Sequence, residues 1–563
     1  MKLFPFVLFL TIISAQAKGA GFFVSADAAA AGDGSRANPW RLQTALDHPA
    51  ALRPGDTVWV RGGVYTNAFD AQTSFSCRTH GTPTAPIIFR NYMHERATVD
   101  GNQTYTLYLS LGQCSNTWFW GLEVTNSRST DRNHDIGGNV TCTAENIRFI
   151  NMIIHDMGSG LDSWKTALNS ELYGCLVYHI GNNVNNNGNW EGHGHGMYLQ
   201  NDTVGTKRIH NNIVFSTYGY GIKVWQTTTT AAIGNFDIRH NIVFNGGSAS
   251  ENLGGPGNNY RTHNFFVVSN GASNPVLNTV IKHNYTYSGS NTPRPPVNAF
   301  GLNYGVRTMT LDSNYFTCQT RLGFNNTPIF EASVKGNTFL GGIPPVYGFY
   351  LWGFAPSDYP QNAYVPDIPA AGLMYTVIPN AYEQGRAHMA IYNWDSAATV
   401  RVNITASGLQ PGDRYELVNA MDYYHDIVSG VVDTEGMISV PMTGHTFASV
   451  VASNKAPVSQ FPVFGAFVLR RPVGSGAVGI APVMPANYLT IFPNPSTGSI
   501  VVEGVEDMLS LSVWNILGER VQAEESSSRK STHTLNVSAL PKGIYVLRIL
   551  DGSGFHFRNI ILQ

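Results

Sequence analysis

The densest group of residues able to do chemistry lies in Asn182–Asn201. An Asn-rich loop there leads into Trp190-Glu191-Gly192-His193-Gly194-His195-Gly196-Met197-Tyr198-Leu199-Gln200-Asn201. His193 and His195 are each flanked by glycine, which lets the backbone approach a ligand closely. Imidazole titrates near neutrality, so both side chains suit proton transfer. Two histidines at i and i+2 of a strand point the same way. A metal bound there would need further ligands from elsewhere. The plainer alternative is that the glycines make a tight entry into the next segment and the imidazoles only bond backbone.

Three short segments align on an opening glycine: Gly160, Gly196 and Gly221. In that alignment Leu161, Met197 and Ile222 share one side, as do Ser163, Leu199 and Val224. These sets are mostly apolar and should point inward, because strand side chains alternate. The opposite side then carries Asp162, Tyr198 and Lys223 in one row and Trp164, Gln200 and Trp225 in the next. At a spacing of about 4.8 Å between strands, a carboxylate, a phenol, an amine and two indoles would line a groove suited to a sugar chain. A solvated face with an Asp162–Lys223 pair is the simpler account of the same residues.

β-Elimination on a uronic acid needs a base for the proton next to the carboxylate, an acid for the leaving oxygen and a partner for the carboxylate. Lys223 could serve as the base where desolvation lowers its pKa. Tyr198 or His195 could be the acid, and His193, Asn201 or Arg261 the carboxylate partner. Uronan C5-epimerisation shares the first step. Glycoside hydrolysis instead needs two facing carboxylates. Asp162 and Glu191 form the best pair, with Asp156 and Asp202 as substitutes. A glycan-binding protein or adhesin without catalysis is the third reading.

These residues need a scaffold of stacked strands, and the sequence carries one. Between about 85 and 345 a pattern recurs: an apolar residue, two variable residues, Asn, then two or three apolar residues. It reads Ile209-His210-Asn211-Asn212-Ile213-Val214-Phe215, then Ile238-Arg239-His240-Asn241-Ile242-Val243-Phe244, then Ile281-Lys282-His283-Asn284-Tyr285. Weaker copies follow at Asn314 and Asn337. Irregular spacings of 23 to 43 residues between these asparagines indicate a solenoid. A turn Asn can take the left-handed conformation and bond the coils above and below. Before the repeats come Phe22–Ser25, a short helix marked by Leu42, Ala45 and Leu46, a turn at Pro54-Gly55-Asp56 and a strand over 57–60. This order resembles the N-terminal cap and first coil of the pectate-lyase-like right-handed parallel β-helix superfamily. The resemblance implies an all-β fold, a β-helix over 22–345 and a polysaccharide substrate. Many lyases of that fold pair a Lys or Arg base with calcium. Calcium stays open here, since no dense acidic cluster is present.

Pro- and Gly-rich residues 346–369 read as a linker. Alternating strands over 370–471 read as a β-sandwich accessory domain, and 472–487 as a second linker. The last segment, 488–563, contains Ile491-Phe492-Pro493-Asn494-Pro495-Ser496-Thr497-Gly498, then Leu511–Gly518 and Leu540–Leu547. It resembles the type A C-terminal sorting domain of the type IX secretion system in Bacteroidetes, a further small β-sandwich. That implies passage through the type IX machinery to the outer surface or the medium. At the other end, Lys2, the apolar run Leu3–Ile13 and Ser14-Ala15-Gln16-Ala17 read as a signal peptide, residues 1–17.

Composition narrows the partners. Charged residues are 13% of the chain and the net charge is -2, which gives no reason to expect nucleic acid. The N-terminal apolar run is too short to span a bilayer, and a monomer is expected. The five cysteines, Cys77, Cys114, Cys142, Cys175 and Cys318, show no metal spacing and suit buried thiols better than a disulfide set.

Overall fold

The computed structural model describes residues 19–563 except 130, 135, 185–189, 226–231, 252–262, 270–274, 288–296, 304–305, 324–328, 330, 341–349, 352–355, 473–489, 495, 504–509, 516–519, 526–531 and 552–553. The proposed signal peptide and Arg261 therefore lie outside the described residues.

Short strands, most of three to five residues, stack in parallel into three long sheets, the three faces of a solenoid. The first face has eleven described strands, from Gly21–Val24 to Ser333–Lys335. The second has eleven, from Gly63–Tyr65 to Ala363–Val365, and the third has ten, from Thr73–Cys77 to Tyr350–Leu351. One coil runs Arg148–Ile150, Ile153–His155, Leu161–Ser163, crossing the faces in that order. Phe149, Ile154 and Leu161 point inward and are fully buried, and equivalent residues of every coil extend this core. No coil can bury those side chains alone; each depends on its neighbours.

The corner between the first and second faces shows how the repeat works. The left-handed residue is the one before each repeat asparagine: Asn211, His240, His283, Ser313 and Gly336 all have positive φ. The sequence reading gave that conformation to the asparagine itself. Instead the asparagine side chain is turned into the stack. The Asn241 amide and backbone N–H both donate to Asn284 Oδ1, at 2.9 and 3.0 Å, and the amide also donates to the Ile209 carbonyl at 2.8 Å. Asn212, Asn284, Asn314 and Asn337 repeat the pattern, and Asn362 receives the last bonds.

Both ends are closed. The helix Leu42–Leu46 buries Leu42, Ala45 and Leu46 against the first coils. Its Gln43 side chain pairs with both backbone groups of Ser76, on the edge strand of the third face. At the far end Ala363–Val365 adds a last rung to Thr338–Leu340, within the segment read from sequence as a linker, and Tyr359 and Tyr364 pack on the core.

Residues 373–470 form a five-stranded antiparallel sheet, ordered Leu373–Pro379, Ala387–Asn393, Phe464–Arg470, Arg414–Asn419, Ile427–Val431, facing a two-stranded one, Thr399–Asn403 with Met437–Pro441. Its outer side packs on the outward side of the solenoid's second face. Ile153, Leu176, Ile213 and Ile242, and the stacked rings of Tyr178, Phe215 and Phe244, are buried there with Ile378, Ala390, Tyr392 and Phe464. Buried polar pairs fix the seam. Arg132 donates to Asp156 (2.7 Å) and to the Val451 carbonyl (2.7 Å), while the Val451 N–H donates to Asp156 (2.9 Å). The sequence pattern anticipates this in Ile213-Val214-Phe215 and Ile242-Val243-Phe244. An unbroken apolar run marks a strand covered on both sides.

The C-terminal residues form a unit of their own. A three-stranded sheet (Thr490–Phe492, Ser499–Glu503, Thr532–Asn536) faces a four-stranded one (Arg520–Glu525, Ser510–Asn515, Gly543–Asp551, Gly554–Leu562) across a core of Val502, Leu511, Val513, Leu535, Leu547 and Ile560. No helix among the described residues is long and apolar enough to cross a membrane. All five cysteines are buried thiols.

A chain ending at residue 369 keeps the coils but uncovers the Tyr178–Phe215–Phe244 row. It should elute as aggregate in size-exclusion chromatography, whereas a chain ending at 471 should elute as a single discrete species.

Candidate functional site

The third face pairs as the glycine alignment predicts: Leu161 with Met197 and Ile222, Asp162 with Tyr198 and Lys223, Ser163 with Leu199 and Val224. The outward row runs Ser76, Tyr108, Thr141, Asp162, Tyr198, Lys223, Phe266, Ala299 and Arg321. Its middle is sheltered although it points away from the core: Asp162, Tyr198 and Lys223 are 6%, 9% and 8% exposed.

Lys223 is the centre of the group. Its Nζ lies 3.3 Å from His195 Nε2. It also stands 5.4, 5.1 and 5.0 Å from the ring centres of Tyr198, Tyr220 and Trp225. His195 stacks on Tyr220 at 5.1 Å and lies 6.0 Å from Tyr198, and the half-buried His193 lies 5.8 Å from His195. Tyr220 in turn stacks on Phe266 at 4.5 Å, with His263 edge-on at 5.0 Å. The Gln200 amide donates to the Tyr198 hydroxyl (3.2 Å) and the Trp225 carbonyl (3.1 Å). Trp164 stands at the open side, 36% exposed and 5.3 Å from Tyr198.

Glycines make the approach of His195 possible. Gly194 has φ +87°, and a Cβ on it would lie 2.1 Å from the Gly158 carbonyl oxygen; a Cβ on Gly219 would lie 2.2 Å from the Gly194 oxygen and 3.0 Å from His195 Nδ1. The preceding excursion is a hairpin, Asn182–Val184 antiparallel to Trp190–His193. Asn183 moors it, donating to Asn133 Oδ1 and accepting from the Glu251 N–H.

Asp162 accepts from Asn139 at one oxygen and from Ser159 at the other, both at 2.7 Å. Burial pushes its pKa up to about 6, against the pull of those two bonds and of Lys223. Burial likewise holds the Tyr198 hydroxyl well above the usual tyrosine range, so it is a proton donor at neutral pH. From inside the solenoid, buried Lys207 holds the strand that carries Asp162, donating to Ser163 Oγ (2.6 Å) and the Trp164 carbonyl (2.9 Å).

Other sequence candidates fall elsewhere. Asn201 is fully buried and its amide donates to the carbonyls of Asp202 and Gly234, so it structures a turn instead of meeting a substrate carboxylate. Asp156 belongs to the seam with Arg132, and Asp202 faces Lys165 at 3.5 Å. Neither substitutes for Asp162 or Glu191, and the Glu191 side chain lies outside the described residues. The expected Asp162–Lys223 pair has Tyr198 between its members. The described groove gathers no cluster of acidic calcium ligands. Both Asp162 oxygens are occupied by Asn139 and Ser159, and among the described residues no three His, Cys, Asp or Glu gather to hold an ion.

Ser159, Tyr220 and His263 were missed, although the alignment holds their signal. Extended two residues back, it places Ser159, His195, Tyr220 and His263 in equivalent positions.

Residues 490–563 match the family model of the secretion system C-terminal sorting domain. The chain carries an export address. Domains of this family mark proteins sent by the type IX system to the cell surface or the medium, which is where this protein is placed. No curated protein matches the sequence. Among solved structures, pectate lyase Pel9A is similar at 16% identity over 57% of this chain and 80% of its own (TM-score 0.37). A rhamnogalacturonan lyase is similar at 12% identity over 62% and 88% (TM-score 0.41). The GH136 lacto-N-biosidase from Eubacterium ramulus is similar at 13% identity over 62% and 67% (TM-score 0.37).

Burial lowers the Lys207 pKa from 10.5 to about 7. Between those values the unfolded chain binds a proton that the folded chain lacks, so the lysine's penalty on stability grows as pH falls toward 7 and levels off below it. Lys207→Met should unfold at higher temperature than the parent at pH 7. The gap should close by about 2 kcal/mol at pH 9, read from unfolding curves at both values.

Proposed function

We propose that the third face is the active site of a polysaccharide lyase that cleaves a uronic-acid-containing glycan by β-elimination, with Lys223 as base. The observation that carries this reading is the hydrogen bonding around His195. The Tyr220 N–H points to His195 Nδ1 at 3.4 Å, which suits the tautomer with its proton on Nε2. Nε2–H then faces Lys223 Nζ at 3.3 Å, and in that tautomer the lysine nitrogen would accept as the free amine, the form this mechanism requires. In this base form Lys223 takes the proton from the carbon bearing the carboxylate. The electron pair left behind forms the ring double bond, and the bond to the glycosidic oxygen breaks. Tyr198, held in its protonated form, gives its proton to that oxygen. The ammonium formed on Lys223 meets three aromatic faces already in place, and preorganised partners for a developing charge are what lower a barrier. This reading gives the substrate carboxylate to His193, half-buried beside His195. Trp164, exposed at the open side, offers a ring face to a neighbouring sugar.

Glycoside hydrolysis is the second reading, and the raised pKa of Asp162 favours it: a carboxyl protonated near pH 6 can serve as an acid. A uronan epimerase shares the first step of the lyase reaction, and a glycan-binding protein would use the same groove without chemistry.

The deciding assay follows ultraviolet absorbance and reducing ends together, on a panel of uronans and neutral polysaccharides. Lysis gives both signals on a uronan. Lys223→Ala should then lose at least about a hundredfold in rate, and Tyr198→Phe should lower kcat more than it raises KM. Reducing ends without absorbance would overturn the lyase mechanism and move the chemistry to Asp162.

A further inference from the structure

A second concave site lies on the other side of the molecule. The corner between the first and second faces stands opposite the third face, and the sandwich packs against it. Between them is a cavity of about 330 Å³, at the lower end of the usual range for small-molecule sites, about 300–1,000 Å³. The solenoid supplies Tyr173, Asn211, His240 and Tyr285 from successive coils, and the sandwich supplies Thr376 and its neighbours.

The wall is built from both bodies. Among the described residues, strand Leu373–Pro379 pairs with Ala387–Asn393 alone. The Pro379 carbonyl accepts from the Tyr173 hydroxyl and from the Asn211 amide, both at 3.3 Å. Asn211 is 2% exposed, and its Oδ1 has no protein partner. A buried carbonyl oxygen left in this way calls for a donor. The Tyr285 hydroxyl lies against Thr376, and each can both donate and accept. His240 stacks on His283 at 5.0 Å, their rings nearly parallel. Burial and the neighbouring imidazole keep His240 uncharged at neutral pH, its pKa lowered to about 4. Arg239 is paired with Asp237. Half-buried His240, Tyr285 and Thr376 leave the cavity open to the outside.

We infer that this seam cavity is a second glycan-binding site, taking one neutral, hydroxyl-rich sugar ring. Apart from His210, whose Nε2 lies 3.2 Å from Asp237 Oδ2, the lining residues are uncharged, which disfavours both anions and cations. Hydroxyls that donate and accept in turn match Asn211, Tyr285 and Thr376, and the imidazole and phenol rings offer faces to a pyranose. The site needs no chemistry in the groove and stands apart from the Lys223 cluster. A chain anchored there would keep the exported protein on a glycan surface whatever happens at the third face.

The test uses the whole exported chain. Saturation-transfer difference spectra are recorded with the methyl glycosides of glucose, galactose and mannose, for the parent, His240→Asn, Thr376→Val and Lys223→Ala. Asparagine suits the positive φ of position 240, so that variant removes the ring without straining the turn, and unfolding curves check each fold. At least one glycoside should give a signal that is kept in Lys223→Ala and weakened about tenfold or more in both seam variants. Silence from all three glycosides, or a signal that survives both seam variants, would overturn the proposal.

Discussion

A coil of this solenoid cannot bury its own apolar side chains, and every other feature follows from that constraint. Phe149, Ile154 and Leu161 are shielded only because coils lie above and below them. The same constraint reappears on the outside of the second face, where Phe215 and Phe244 need the sandwich. The catalytic candidates inherit their rigidity from this arrangement. Asp162, Tyr198 and Lys223 sit on consecutive rungs whose spacing is set by backbone pairing, while one side of each strand is locked in the core.

The covering of the second face also explains where chemistry can sit. With one outward face closed by the sandwich, long excursions such as the Asn182–His193 hairpin are left to border the third. There, tight turns do what bulky side chains cannot. Glycine at 194 lets the chain cross the Gly158 carbonyl and bring His195 to Lys223. Burial of a carboxyl and a phenol in one outward row then moves their proton affinities away from those in water, the condition that acid–base work requires.

Much of this was legible in the sequence, because the solenoid writes its register into its repeats. Opening glycines at 160, 196 and 221 set the third-face pairing correctly, and the helix at Leu42–Leu46 falls where its apolar spacing puts it. What the sequence hid was distance across coils and between bodies. Asn201 looks like a ligand in a polar loop until its amide is seen spent on carbonyls. Asp156 looks free until Arg132 and Val451 arrive, the latter from nearly three hundred residues away. The run Ile213-Val214-Phe215 states that both sides of a strand are covered without saying by what. The strand Ala363–Val365 lies beyond a Pro-rich stretch whose composition reads as a connection, yet its backbone completes a rung.

The asparagine stack has a further meaning. Each of these side chains donates one amide hydrogen to the asparagine of the following coil and the other to a carbonyl of the coil before, and receives on its Oδ1 from the coil before, so the column has a direction and a single repeating junction. Any coil that brings one asparagine to that corner meets the same two neighbours, whatever loops it carries elsewhere. Length is thereby a countable property of this scaffold. Coils can be added or dropped along the column as whole units, and the extent of surface offered to a long polymer can change without redrawing the residues at its centre.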